Sequence, residues 1–396
     1  MSTGLFNAII RLMSKTYCIF SANYLPNTGG VEKYTQNLSK ALVKAGNYVV
    51  IVTMNVFGLA QHESLEEGIE IIRLPCYKML KGRFPVPKHN QLYQAEMRRL
   101  EERDIDFIVV NTRFYLHSFT GMKLSAKKGI IPIVIDHGSA HLTMGNRVID
   151  VFVSACEHIL TSVIKRYPAH YYGVSNASVQ WLYHFGIKAR GVLANAINAE
   201  EFRNSSSHRD FKDELKLCKD TFIVVYVGRF IPEKGMRTLV ECAKILIDCP
   251  SIQFILAGEG PMKEYLKRQS LSNMHVVGAL DSSDVAALFS IADANCLLSR
   301  SEGGFPTTIL EAAVCKTISI TTNVGSVIEL MPTSDYGVVL ETSNSKEAAD
   351  AIRYLQKNPS INRLIGENIK SRVESEFSWS KTAKKVENVC IRANRQ

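Results

Sequence analysis

Residues 221–228, TFIVVYVG, form an unbroken apolar run, followed by the loop RFIPEK (229–234) and by a segment of helical period from about Gly235 to Ile247. A strand apolar at every position is covered on both faces. This is the pattern of a parallel sheet layered between helices, and an antiparallel sheet with one wet face would instead alternate. The unit recurs outward along the chain. Downstream come IQFILAG (252–258), a helix near Met262 to Arg268, HVVG (275–278), ANCLL (294–298), a helix from Pro306, TISIT (317–321) and GVVL (337–340). Upstream come YCIF (17–20), a helix from Val31 to Lys44, YVVIVT (48–53), DFIVVN (106–111) and IPIVID (131–136). The expected fold class is α/β, with two doubly wound Rossmann-like parallel-sheet domains facing a central cleft. The polar stretch 198–214, NAEEFRNSSSHRDFKDE, interrupts the apolar period. It places the boundaries at 1–198 and 199–375.

The totals agree with a globular two-domain protein. A chain of 396 residues that is 46% hydrophobic can bury a large core. Nine cysteines are scattered singly, without CxxC or a Cys/His cluster at zinc spacing, which reads as a reduced, cytoplasmic pattern. No apolar run approaches the roughly 18 residues a membrane span needs, and the first residues lack the form of a signal peptide. The net charge of +9 lies mostly in the first half: residues 1–200 hold 22 Lys+Arg and 14 Asp+Glu, a difference of +8. That asymmetry points to an anionic partner, either nucleic acid or an acidic membrane surface, against the alternative of an ordinary basic surface.

Four loops lie where a strand gives way to a helix, the position that offers backbone amides to an anion. In LPNTGGVEKYTQNL (25–38), Gly29 and Gly30 allow a tight turn before a helix, though such a pair is often only a turn. In VGRFIPEKG (227–235), Arg229 and Lys234 bracket Pro232 beyond a buried strand. Each cation about 4 Å from a diphosphate contributes about 4 kcal/mol at an effective dielectric of 20, so the pair could offset much of a departing charge. AGEGPMKEYL (257–266) reads as a tight turn into a helix, with Glu259 and Gly260 near a base. In SRSEGGFPTTILEAA (299–313), Pro306 suits a first helical turn, and Thr307 and Thr308 present amides and hydroxyls to a phosphate. Glu311 stands about a turn and a half further in, where a carboxylate can accept from both hydroxyls of a ribose. Glu302 is placed for the hydroxyls of a group carried by that phosphate. His137 and Gly138 follow IPIVID, so the imidazole stands at a strand end. Asp104 and Asp106 make a DxD directly before a strand, where Asp106 reads as capping the strand start rather than holding a metal.

Taken in order, NTGGVEKYTQNLSKAL, DHG, YYGVSNASVQWLYHFGI, NAINAEEF, VGRFIPEKG, AGEGPMKEYL, SEGGFPTTILEA, NVGSVIEL and the terminal FSWSKTAKKVENV resemble glycosyltransferase family 4, also called glycosyl transferases group 1. This is a retaining family of GT-B architecture, and the likeness covers nearly the whole chain. The resemblance implies that Arg229 and Lys234 hold the donor diphosphate and that Glu311 holds the ribose. It gives Gly29, Gly30 and their helix tip a phosphate contact, and His137 a contact with the transferred sugar. Residues from about 376 to 396 should pack back on the first domain. The family usually spaces two glutamates with seven residues between them. Here Gly303 matches the first and Glu302 stands one residue earlier, so either Glu302 reaches the sugar through a bulged loop or the amides of Gly304 and Phe305 take over. Asn195-Ala196 also replaces a commoner Asn-Gly turn.

The implied reaction moves a sugar from a nucleoside-diphosphate-sugar donor to a glycan acceptor, lipid-linked, for cell-surface polysaccharide such as lipopolysaccharide O-antigen or capsule. No cofactor or metal is expected. No carboxylate nucleophile is evident, which favours a dissociative same-face transfer by a hexosyltransferase. CYKMLKGRFPVPKHN (76–90) interleaves Lys78, Lys81, Arg83 and Lys88 with Tyr77, Leu80 and Phe84, and residues 4–15, GLFNAIIRLMSK, carry an apolar helical stripe. Both suit a peripheral enzyme on the cytoplasmic face of a membrane, with an anionic surface and no nucleic acid as partner. The alternatives are a nucleotide-sugar epimerase of the same architecture and a basic nucleic-acid-binding protein.

Overall fold

In the computed structural model the described residues are 14–27, 29–66, 68–141, 147–300 and 306–395. Each apolar run quoted above is a strand. The chain folds as two units, residues 1–195 with 379–396, and residues 196–378.

Among the described residues of the N-terminal unit, seven strands form one sheet. They are β1 (Thr16–Phe20), β2 (Tyr48–Met54), β3 (His62–Glu66), β4 (Ile69–Leu74), β7 (Phe107–Asn111), β8 (Ile133–Asp136) and β9 (His170–Gly173), in the order β3-β4-β2-β1-β7-β8-β9. All neighbours run parallel except β3 with β4. The chain moves from β1 to β2 on one side and returns to β7 on the other, so the topological switch point lies between β1 and β7. The helix Gly30–Lys44 buries Tyr34, Leu38 and Leu42, four residues apart on one face. Each such leucine removed from water contributes about 1.5–3 kcal/mol. The helix Trp379–Ala393 belongs to this unit, and the Trp379 ring meets the Tyr34 ring edge-on at 5.2 Å.

The second unit contains β10 (Phe222–Val227), β11 (Ile252–Ala257), β12 (Met274–Gly278), β13 (Ala294–Leu297), β14 (Ile318–Thr322) and β15 (Val338–Leu340), all parallel, ordered β12-β11-β10-β13-β14-β15. The run that decided the class, β10, is buried from Phe222 to Tyr226 and pairs with β11 over six residues, Phe222↔Ile252 to Val227↔Ala257. Here the switch point lies between β10 and β13.

Three segments differ from their sequence reading. Residues 76–90 make an antiparallel ribbon, β5 (Cys76–Met79) with β6 (Phe84–Pro87), joined by a 3-10 turn at Leu80–Gly82. The helix after β13 starts at Thr307. Pro306, with ψ 92°, stands in the extended cap position just before it. Residues 198–214 carry the helices Ala199–Asn204 and Phe211–Glu214, with Phe202 and Phe211 buried and Arg203 paired with Glu374 at 2.5 Å, so they fold onto the second unit. The apolar stripe in residues 4–13 lies outside the described residues.

Candidate active site

In the second unit the loops at the carboxyl ends of β10, β11 and β13 are joined backbone to backbone. The N–H of Phe230 donates to the Glu259 carbonyl at 2.8 Å, and the N–H of Met262 donates to the Phe230 carbonyl at 3.0 Å. The N–H of Arg300 donates to the Glu233 carbonyl at 2.8 Å. Two glycines permit this approach. A Cβ on Gly258 would lie 1.8 Å from the Gly228 oxygen, and one on Gly235 would lie 1.9 Å from the Leu298 oxygen. The same Leu298 oxygen accepts from Ser343 Oγ at 2.9 Å, while Thr322 Oγ1 donates to the Ser299 carbonyl.

Arg229 and Lys234 stand on this platform. Arg229 is exposed, with its carbonyl accepting from the Tyr226 hydroxyl at 2.9 Å. Lys234 is half-buried at the end of the turn Pro232–Lys234, and Gly235 takes the left-handed φ of 72° that lets the next helix begin at Met236. The Glu233–Arg300 bond ties this cationic loop to the one that leads toward the helix Thr307–Val314. That helix carries half-buried Thr307, Thr308 and Glu311. The first amides of a helix have no acceptor within it, so its start offers donors and a positive dipole end. Glu311 is one turn on from Thr307, on the same face. The structure therefore brings the β10 and β13 loops together at the switch point. Glu302, Gly304 and Phe305 lie outside the described residues. Glu259 is paired with Lys263 at 2.5 Å, which holds it below the usual carboxylate range.

The switch point of the N-terminal unit holds His137, Gly29 and Gly30. Gly29 caps the helix Gly30–Lys44 in an extended conformation, and a Cβ there would lie 2.3 Å from Glu32 Oε2. Glu32 folds back over the helix start. Its carboxylate accepts from Asn27 Nδ2 at 2.8 Å and from the backbone N–H groups of Glu32 and Gly29, while burial pushes its pKa up. The helix tip read as a phosphate site thus already holds a carboxylate, the arrangement of a capping box whose Gly-x-x-Glu spacing was legible in the sequence. His137 Nε2 lies 3.1 Å from Asn111 Oδ1, and its ring meets the Tyr34 ring edge-on at 4.8 Å. Asn111 Nδ2 donates to Thr35 Oγ1 at 2.7 Å, which turns its oxygen toward the histidine. Burial pushes the His137 pKa down to about 3, so the ring is neutral. Because Asn111 Oδ1 only accepts, Nε2 carries the hydrogen and Nδ1 remains an acceptor.

Directly before His137, Asp136 is fully buried against Arg113, which is also fully buried, at 2.6 Å. Arg113 also donates to Glu157 and lies 3.9 Å over the Phe185 ring. Burial pushes the Asp136 carboxyl up to about 6 against the opposing pull of Arg113. No motif marked Arg113, Glu157 or Asn111. Asp106 accepts from Thr16 N–H and Lys15 Nζ, both at 2.9 Å, as a strand-start cap.

The family model described as "Glycosyltransferase Family 4" matches residues 28–201, and that described as "Glycosyl transferases group 1" matches residues 207–372. The chain belongs to glycosyltransferase family 4. An uncharacterized glycosyltransferase of Methanocaldococcus jannaschii is 22% identical over 391 residues, 94% of this chain and 97% of that protein. The phosphatidylinositol N-acetylglucosaminyltransferase GPI3 subunit of Saccharomyces cerevisiae is 23% identical over 379 residues, 92% of this chain and 80% of that protein. Anabaena HepE, solved in complex with UDP, superposes with a TM-score of 0.71 at 17% identity, over 95% of this chain and 99% of that chain. These likenesses give the enzyme the GT-B fold and a glycosyltransferase activity. Among the described residues no helix is long and apolar enough to cross a membrane.

Proposed function

We propose that this glycosyltransferase moves a hexosyl group from a nucleoside-diphosphate-sugar to a lipid-linked glycan at a membrane surface, with retention and without a metal in the transfer step. The observation that carries the reading is the bond between Glu233 and Arg300. It fixes the Arg229–Lys234 loop beside the segment leading to Thr307, Thr308 and Glu311, at the one place in this sheet where an α/β fold receives a nucleotide. Arg229 and Lys234 hold the diphosphate, the helix start assists through its amides, and Glu311 accepts from the ribose hydroxyls. On the N-terminal unit, neutral His137 suits contact with a sugar hydroxyl through Nδ1, while the Gly29–Gly30 helix start can offer its amides to phosphate only where Glu32 yields them.

The bond from the anomeric carbon to the diphosphate oxygen breaks with its electron pair leaving on the diphosphate, whose growing charge the two cations offset. The acceptor hydroxyl oxygen then bonds to that carbon on the same face, and its proton passes to the departing phosphate oxygen.

A membrane-borne acceptor is supported by exposed apolar side chains among cations. Tyr77, Met79 and Leu80 project from the β5–β6 ribbon with exposed Lys78 and Lys88, and Lys88 lies 5.6 Å over the Tyr77 ring. A cavity of about 420 Å³, lined by Val86, Pro87, Tyr93, Leu116 and Phe119 among others, opens beside the ribbon. The sequence reading missed a second apolar set, Val151, Phe152 and Ile159, exposed on the helix Arg147–Ile164. The acceptor lipid fits assembly of lipopolysaccharide O-antigen or capsule on the cytoplasmic face.

The test is incubation with UDP-, GDP- and ADP-sugars, with and without a lipid-linked glycan, reading the product's anomeric configuration by NMR. One donor class should be consumed only when acceptor is present, with configuration kept. Isomerised donor in the absence of acceptor would instead establish the epimerase. Binding to anionic but not neutral vesicles is expected, and equal sedimentation with both would remove the charged-surface proposal.

A further inference from the structure

Three histidines that sugar transfer does not use meet on the N-terminal unit. His141 follows β8, His158 lies in the helix Arg147–Ile164, and His184 ends the helix Asn176–His184. Their nitrogen ligand atoms lie within 4.8 Å of one another. His158 Nε2 and His184 Nε2 are 3.3 Å apart. Two nitrogens bound at ~2.0–2.1 Å to a tetrahedral zinc ion are separated by about 3.3–3.4 Å, so this pair already has the spacing of two ligands.

His141 adds the feature that separates a metal ligand from a surface imidazole. Its Nδ1 lies 2.7 Å from Glu157 Oε2, and the carboxylate only accepts, so Nδ1 carries the hydrogen and Nε2 keeps its lone pair. Nε2 faces Ser154 Oγ at 3.1 Å, a hydroxyl that can turn away when a cation arrives. A carboxylate behind an imidazole fixes the tautomer and raises ligand basicity. Glu157 is itself held by Arg113, which is fully buried and also bound to Asp136, so the orienting carboxylate cannot swing. The His184 ring is fixed as well, stacked on Trp181 at 4.7 Å and 4°. His158 and His184 are exposed and His141 half-buried, so a hydrated ion can reach the cluster.

We infer that His141, His158 and His184 bind one divalent cation of the zinc class, with a fourth position open to water and Glu157 as the orienting partner. Three imidazoles select Zn²⁺ over Mg²⁺ and Ca²⁺, which demand oxygen. The ion clips the segment after β8 to two helices. The ligands come from three separate segments with no motif spacing, so the sequence carries no signal for such a site.

The experiment titrates Co²⁺, then Zn²⁺, into the full chain without a polyhistidine tag, and repeats this for His158→Gln and His184→Gln. One Co²⁺ per chain should give the visible absorption of a four-coordinate site, displaced by one Zn²⁺. Zn²⁺ should raise the melting temperature and Mg²⁺ should not. Each variant should match the metal-free parent in melting temperature while losing at least about tenfold in Zn²⁺ affinity, the lower end of what even an outer-shell change costs. Absence of stoichiometric binding to the parent, undiminished binding to both variants, or a near-ultraviolet thiolate-to-cobalt band showing cysteine ligands would each overturn the site.

Discussion

A Cβ on Gly235 would lie 1.9 Å from the carbonyl oxygen of Leu298, so the loops after β10 and β13 touch where only a glycine fits. Gly235 also holds φ at 72°, which costs other residues about 1–2 kcal/mol. Gly235→Ala must push the two loops apart. The expected loss is about 2–4 kcal/mol of stability together with weakened nucleotide binding. Urea denaturation and nucleotide titration check both, and a variant as stable as the parent would show that the loops are not held in this contact.

On the proposed reading Lys234 and Glu311 hold the donor, and both are half-buried rather than part of the buried core. Lys234→Ala and Glu311→Ala should each lower turnover at least about 100-fold, the scale seen when one electrostatic contact to a transition state is removed. Circular dichroism and melting temperature should stay near those of the parent. Retained turnover in either variant would remove that residue from the site.

His137 is neutral because burial holds its pKa near 3, so the parent's rate should not depend on its protonation between pH 5 and 8. Asn111→Asp would put an anion beside Nε2, where the amide oxygen now sits at 3.1 Å, and would favour the imidazolium. Activity of that variant should fall as pH drops below about 6.5, the ordinary histidine value. A profile of kcat/KM against pH decides it, and an unchanged acid limb would detach Asn111 from the histidine's state.

His117 is buried with its Nε2 2.8 Å from the Val52 carbonyl, and burial pushes its pKa down to about 4. Its folded value lies below the unfolded one, so its contribution is complete above about pH 6.5 and is lost as pH falls toward about 4. Within that window stability should drop by about 1.4 kcal/mol per pH unit for this group. Denaturation of His117→Gln across pH 4.5–6.5 should show a slope shallower by that amount. Equal slopes would mean that the ring is protonated in the fold.

What was legible follows from burial. TFIVVYVG and FIVVN announced parallel strands because both faces are covered, and VGRFIPEKG announced its loop because proline, glycine and two cations crowd a strand's end. The β5–β6 ribbon was read only for its surface chemistry, since Pro85 and Pro87 obscure a strand pattern. Arg113, Glu157 and Asn111 gave no signal, because their roles arise from partners far off in the chain. Pro306 was read one residue too far into its helix, its fixed φ suiting the cap as well as the first turn. Glu32 stands three residues after Gly29 in the sequence, yet spacing alone does not show that its carboxylate folds back over the amides of that helix start.

The central claim is that the β10 and β13 loops hold a nucleoside diphosphate through Arg229 and Lys234. Calorimetric titration of UDP, GDP and ADP into the parent and into the Arg229→Ala/Lys234→Ala double variant measures it directly. One of the three should bind once per chain to the parent and at least about 100-fold more weakly to the double variant, the loss expected for two charge-assisted contacts. Equal affinity in the two proteins would contradict the account.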